Sequence, residues 1–197
     1  MVSDPVEKFI VRPDGRIIPQ EPVSTLQYDT RNEERCTISV AGEQLPCYVV
    51  KRRSKLRGAW GHKFQVYSTN RGQEVACINF HSILPRIEID LVRGNRKVRI
   101  KTYNSVRQYD ASGGLGRVYW KGMSILSRGK ASWNLRNTNG LVLLVTADDI
   151  RGGGIISLCK KGLDEGAIEE LVLIGIAQIE EYNRLSRGYI RTAAVAS

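Results

Sequence analysis

From Ser24 to Leu158 the chain is built of short runs in which apolar and polar residues alternate. The runs are rich in β-branched and aromatic residues and are separated by Gly, Asn, Asp or Arg clusters. This period-two pattern predicts many short antiparallel strands. They are expected at Thr25–Tyr28, Cys36–Val40, Cys47–Lys51, Lys63–Ser68, Glu74–Phe80, Arg86–Val92, Lys97–Tyr103, Arg117–Lys121, Ser132–Arg136, Leu141–Thr146 and Gly154–Leu158, about eleven in all.

Two hairpins can be written out. In the first, Ile87, Ile89 and Leu91 alternate with Arg86, Glu88 and Asp90, and Val98 and Ile100 alternate with Lys97, Arg99 and Lys101. A turn at Arg93-Gly94-Asn95-Arg96 sets Val92 against Lys97, Asp90 against Arg99 and Glu88 against Lys101, so the Lys97, Arg99, Lys101 stripe is expected to be largely neutralised by ion pairing. The second hairpin is signalled by Asn137-Thr138-Asn139-Gly140, whose Asn-Gly step tolerates positive φ.

The texture changes after Leu163. Asp164 and Glu165 lead into a segment with no polar residue between Leu171 and Ala177, followed by Arg184 and Arg187. Acids first and bases last suit a helix macrodipole, and a helix at about 164–185 is expected. Apolar all round, it must be wrapped on every side. Glu169, Glu170, Gln178, Glu180 and Glu181 cut the run well short of the roughly 20 apolar residues a membrane span requires. Gly175 in its interior costs about 1 kcal/mol relative to Ala, which predicts a strand passing too close for a side chain. A buried helix after so many strands implies a mainly β fold, a closed antiparallel barrel of about 11–12 strands around a central hydrophobic C-terminal helix.

Residues 1–22 carry four prolines among charges and are expected to form an arm, disordered or loosely docked. Residues 23–187 form the single domain that a chain of 197 residues can support, and 188–197 a tail. The order of strands, then Gly116-Arg117-Val118-Tyr119-Trp120-Lys121, then a hairpin, then Leu163-Asp164-Glu165 running into a greasy helix resembles the fungal tubby-C-terminal-like domain family of unknown function. The wider superfamily holds tubby, LURP-one-related and phospholipid scramblase proteins. The resemblance implies a binding domain, since tubby proteins bind phosphoinositides through basic surface residues, but none of those residues can be matched here.

A net charge of +10 favours anionic lipid, acidic protein or nucleic acid as partner. The densest run of cations is Lys51-Arg52-Arg53-Ser54-Lys55-Leu56-Arg57 beside Trp60 and His62, so Lys51, Arg52, Arg53, Lys55 and Arg57 are the candidate anion-binding residues. Catalytic signals are sparse. Cys77 with His81 is the nearest approach to a nucleophile and base, Asp148-Asp149 the nearest to a cation site, and strand alternation reads the first as packing and the second as a turn. No motif for a metal or cofactor occurs, and the glycine clusters Gly113-Gly114-Leu115-Gly116 and Gly152-Gly153-Gly154 lack the following helix of a phosphate nest. Trp60, Trp120 and Trp133 are expected to pack inward. Cys36, Cys47, Cys77 and Cys159 are scattered and read as small hydrophobes rather than a disulfide framework. The expectation is a non-enzymatic, cytoplasmic domain, peripheral to a membrane or nuclear, that binds anionic headgroups or a protein partner. The alternatives are a nucleic-acid binder using the same charge and, more remotely, an enzyme.

Overall fold

A computed structural model describes residues 21–30, 35–53, 62–81, 86–101, 107–127, 130–148 and 153–195. Twelve antiparallel strands form one sheet. They are β1 (Ser24–Asp29), β2 (Arg35–Val40), β3 (Pro46–Arg52), β4 (His62–Ser68), β5 (Gln73–His81), β6 (Arg86–Leu91), β7 (Arg96–Lys101), β8 (Gln108–Ala111), β9 (Gly116–Ser127), β10 (Lys130–Asn137), β11 (Gly140–Asp148) and β12 (Gly153–Leu158), followed by helix α1 (Glu165–Val195). The order is β7-β6-β5-β4-β3-β2-β1-β12-β11-β10-β9-β8, two meanders joined where β1 pairs with β12. The sheet curls into a barrel whose only unladdered junction among the described residues is the seam between β7 and β8.

The helix occupies the interior. It touches β5 and β6 on one wall and β11 and β12 on the other, and no residue from Leu171 to Ile174 is more than 1% exposed. Side chains of period two from the strands meet it, among them Tyr28, Ile38, Ile78, Ile89, Leu143 and Ile156. Gly175 plays the expected part: a Cβ there would lie 2.9 Å from Cγ2 and Cδ1 of Ile156 on β12. Asp164 caps the helix, its Oδ1 accepting from the Ala167 amide at 2.8 Å. Trp120 and Trp133 face inward, Trp133 edge-on to Tyr182 of α1 with ring centroids 5.4 Å apart. Trp60 and the arm 1–20 lie outside the described residues.

Several expectations need correction. The β6–β7 register differs by two residues: Asp90 faces Lys97, Glu88 faces Arg99 and Arg86 faces Lys101. The turn is Val92-Arg93-Gly94-Asn95, with Gly94 at φ 72° and Asn95 at φ 45°, so Val92 leaves the strand and the ladder starts one residue earlier on each side. Strand β12 starts at Gly153, one residue before the expected Gly154, and Gly154 lets Ile179 of α1 approach, since a Cβ would sit 2.7 Å from its Cδ1. The helix runs to Val195, through residues expected as a tail. Strand β8 was not foreseen.

Candidate functional site

The pleat divides β2–β7 into two faces. Val50, Phe64, Val66, Ala76, Ile78, Phe80, Ile87, Ile89, Val98 and Ile100 point into the barrel, which puts the alternate residues outside. The ladders align these outer residues in rows. One row reads Arg35, Lys51, Gln65, Cys77, Asp90, Lys97. The next begins where the Arg53 amide donates to the Lys63 carbonyl at 2.9 Å and continues through Asn79, Glu88 and Arg99. A third holds His81, Arg86 and Lys101.

Charge on this face is one-sided. Among the described residues Arg35, Lys51, Arg53, Lys63, Arg86, Lys97, Arg99 and Lys101 make eight cations against three carboxylates, Glu74, Glu88 and Asp90. Glu88 accepts hydrogen bonds from His81 Nε2 at 3.0 Å and Arg99 Nε at 3.2 Å, and pairs by charge alone with Arg86, whose Nε lies 3.3 Å away. Its burial pushes the carboxyl pKa up, but the hydrogen bond from His81 and the charge of Arg86 outweigh that and hold it below the ordinary value. Asp90 takes Lys97 Nζ at 3.1 Å and Asn79 Nδ2 at 3.3 Å, and Glu74 takes Gln65 Nε2 at 2.6 Å. Among the described residues Lys51, Arg53, Lys63 and Lys101 have no ion-pair partner. Lys51 instead lies over the Tyr67 ring, Nζ to centroid 4.8 Å.

The sequence-derived candidates therefore divide. Lys51 and Arg53 lie on the outer face, whereas Arg52 turns to the inner side at the barrel rim, its guanidinium 5.8 Å from the Phe64 ring centroid. Lys55 and Arg57 lie outside the described residues. In the stripe set aside on grounds of pairing, Arg99 meets an acid as expected in kind, but Lys97, expected opposite Val92, takes Asp90, and Lys101, expected opposite Glu88, faces Arg86 and is the cation left without an acid. What sequence reading missed was the union of the two clusters, which lie on strands β3 and β7 and become one surface only through the registers of the strands between them.

The catalytic candidates are placed otherwise. Cys77 is nearly buried on the outer face and burial raises its thiol pKa. His81 is four residues along the same strand, roughly 13 Å at strand rise, and is engaged by Glu88. Asp148 ends β11 half-buried, and Asp149 lies outside the described residues. The four cysteines are free thiols, with Cys159 pushed up to about 11 by burial. Among the described residues no three His, Cys, Asp or Glu side chains gather as a metal site, and no helix is long and apolar enough to cross a membrane.

No family model matches the sequence, and no curated protein matches it either. Among solved structures, the fold is similar to the X-ray structure of a protein from Arabidopsis thaliana, with a TM-score of 0.44 and 13% identity over 84% of this chain and 95% of that one.

Proposed function

We propose that the protein is a non-enzymatic domain that docks on anionic membrane surfaces, using the outer face of β2–β7 to meet phospholipid headgroups. The observation that carries this reading is the gathering of eight cations against three carboxylates on one face of the sheet. Near an anionic bilayer each Lys or Arg is worth about 1 kcal/mol, so the four cations without an ion pair supply enough for reversible binding. The sequence likeness to tubby-C-terminal-like domains supports the same reading.

Sedimentation with phosphatidylserine vesicles tests it. Changing Lys51, Arg53, Lys63 and Lys101 together to Ser should cut vesicle affinity at least 100-fold, given about 1 kcal/mol each. Wild-type binding should fall steeply as salt is raised. A nucleic-acid binder is the rival use of the same charge. Displacement of the vesicles by low concentrations of DNA or RNA, with tighter nucleic-acid binding lost in the same variant, would transfer the function to that class. Undiminished vesicle binding in the quadruple variant would sink the proposal.

A further inference from the structure

The two ends of the barrel treat charge differently. At the end where α1 begins, five cations each sit in an ion pair: Arg71 with Glu169, Arg93 with Glu165, Arg96 with Glu170, Lys97 with Asp90 and Arg117 with Asp110. The four outer-face cations without an ion-pair partner lie at the other end, the mouth through which α1 leaves. Lys51 is next to last in β3, Arg53 follows that strand, Lys63 is second in β4 and Lys101 ends β7, with Arg35 and Arg86 opening β2 and β6 beside them. Among the described residues Asp29 and Asp148 are the acids on the strand ends of this mouth. Given docking on anionic membranes, on which this inference rests, we propose that the stretch of α1 beyond the mouth belongs to the docking surface, with Arg187 and Arg191 meeting phospholipid headgroups alongside the strand-end cations.

Contacts inside the barrel fix the rotational phase of the helix. Ile179 lies against Gly154 of β12, Glu180 accepts from the Tyr28 hydroxyl of β1, and the Arg184 guanidinium lies 5.8 Å from the Phe80 ring centroid of β5. Glu181 pairs with Arg107 just before β8, and Tyr182 meets Trp133 of β10. Around the helix these residues follow the order of the strands in the sheet. Gly154 is the second residue of β12 and Tyr28 the next to last of β1, so that wall ends at this level, and Leu185 is already 47% exposed. The helix nevertheless continues to Val195, about 22 Å past Glu180 at 1.5 Å per residue.

At about 100° per residue, position 191 falls between those of Glu180 and Arg184, and position 187 within about 20° of Glu180. That sector is the side of β1–β5, whose strand ends carry Arg35, Lys51, Arg53 and Lys63. Positions 185, 189 and 193, held by Leu, Tyr and Ala, fall on the opposite side, toward β8–β10. The extension is therefore a basic amphipathic helix, the pattern of a membrane-surface segment, and its basic stripe shares the sector of the unpaired cations. No acid occurs between Glu181 and Ser197 to neutralise it. The two arginines continue one positive field past the mouth, whereas the opposite end has its charges matched pair by pair.

Sedimentation of the full chain with phosphatidylserine vesicles tests the assignment. Arg187→Gln combined with Arg191→Gln should weaken binding about 30-fold, the equivalent of about 1 kcal/mol for each cation, while the thermal melt stays in place. Arg187→Lys with Arg191→Lys keeps the charge and should bind as the wild type does. Arg93→Gln with Arg117→Gln removes the same number of cations from the opposite end, more than a Debye length away, and should leave affinity unchanged. Wild-type affinity in the Arg187 and Arg191 glutamine pair, or an equal loss in the opposite-end pair, would overturn the assignment while leaving membrane docking in place. A wild type that fails to sediment with the vesicles would remove docking itself and this assignment with it.

Discussion

The charges on the helix inside the barrel and those on the outer face of β2–β7 follow opposite rules. Inside, each buried carboxylate of the helix has its own cation, Glu169 with Arg71, Glu170 with Arg96 and Glu181 with Arg107, and the half-buried Glu180 accepts from the Tyr28 hydroxyl at 2.7 Å. Outside, one carboxylate is shared by two arginines and a histidine, while other cations have no ion pair among the described residues. Desolvation explains the difference. A charge withdrawn from water must be matched or the fold is lost, whereas a surface cation keeps its water, so an excess costs little and its field remains for a partner.

The largest break in that contrast comes from an unmatched charge in the middle of α1. Leu173 is 1% exposed among other apolar side chains, so Leu173→Asp adds a buried carboxylate with no cation. The cost should consume the roughly 5–15 kcal/mol by which domains are stable. Circular dichroism should show no cooperative melt, and a folded variant would mean that the helix is not enclosed.

Breaking a match costs less. Arg107→Gln leaves Glu181, whose side chain is 3% exposed, without its cation, a loss of about 3–5 kcal/mol at neutral pH. Burial already raises the Glu181 pKa above its ordinary 4.5 and Arg107 opposes that rise. A group raised in the folded state gives its stability in full below the unfolded value and loses it as pH climbs through the folded one. Without Arg107 the folded value rises further. Urea unfolding should therefore show a gap between variant and wild type that is smallest in acid and widens as pH climbs past the raised wild-type value, and a constant gap would show that the pair is not what holds the charge. Replacing both residues by Leu should recover most of the loss.

A smaller effect tests the apolar side of the same interior. Gly175→Ala gains about 1 kcal/mol of helix propensity but places a methyl against Ile156, which is fully buried. Overpacking at about 1–3 kcal/mol should win, for a net loss of about 1 kcal/mol. Adding Ile156→Val should restore part of it in thermal melts. A stabilised single variant would show that β12 can yield.

How much of this was legible in the sequence follows from the range over which each signal acts. The wrapped helix was legible because unbroken apolarity from Leu171 to Ala177 permits no exposed face, and Gly175 was legible as a close approach because glycine is costly there. Strand faces were legible from alternation, but register was not: it hung on Val92 turning out of the strand and on the positive φ of Gly94 and Asn95. Strand β8 escaped because four residues, Gln108–Ala111, carry too little pattern. The basic face escaped for a further reason. Lys51 and Arg99 are on separate strands, and only the successive ladders between β3 and β7 put them on one surface, so a loop-centred reading of Lys51–Arg57 saw one margin of it.

The smallest prediction joins the two regions by treating the outer face as the interior is treated. Glu88 is 10% exposed in its side chain and engaged by His81, Arg86 and Arg99, and those neighbours hold its pKa down despite burial, so it is charged at neutral pH. Glu88→Gln keeps the shape and some hydrogen bonds while removing that charge, and stability should fall by about 1 kcal/mol. Were this a buried match, nothing would be gained. On a face that works by surplus cation, Arg86 and Arg99 are released toward the membrane, and affinity for phosphatidylserine vesicles should rise about fivefold, the equivalent of about 1 kcal/mol for one charge. An unchanged affinity would place β6 and β7 away from the bilayer and confine docking to the Lys51 margin.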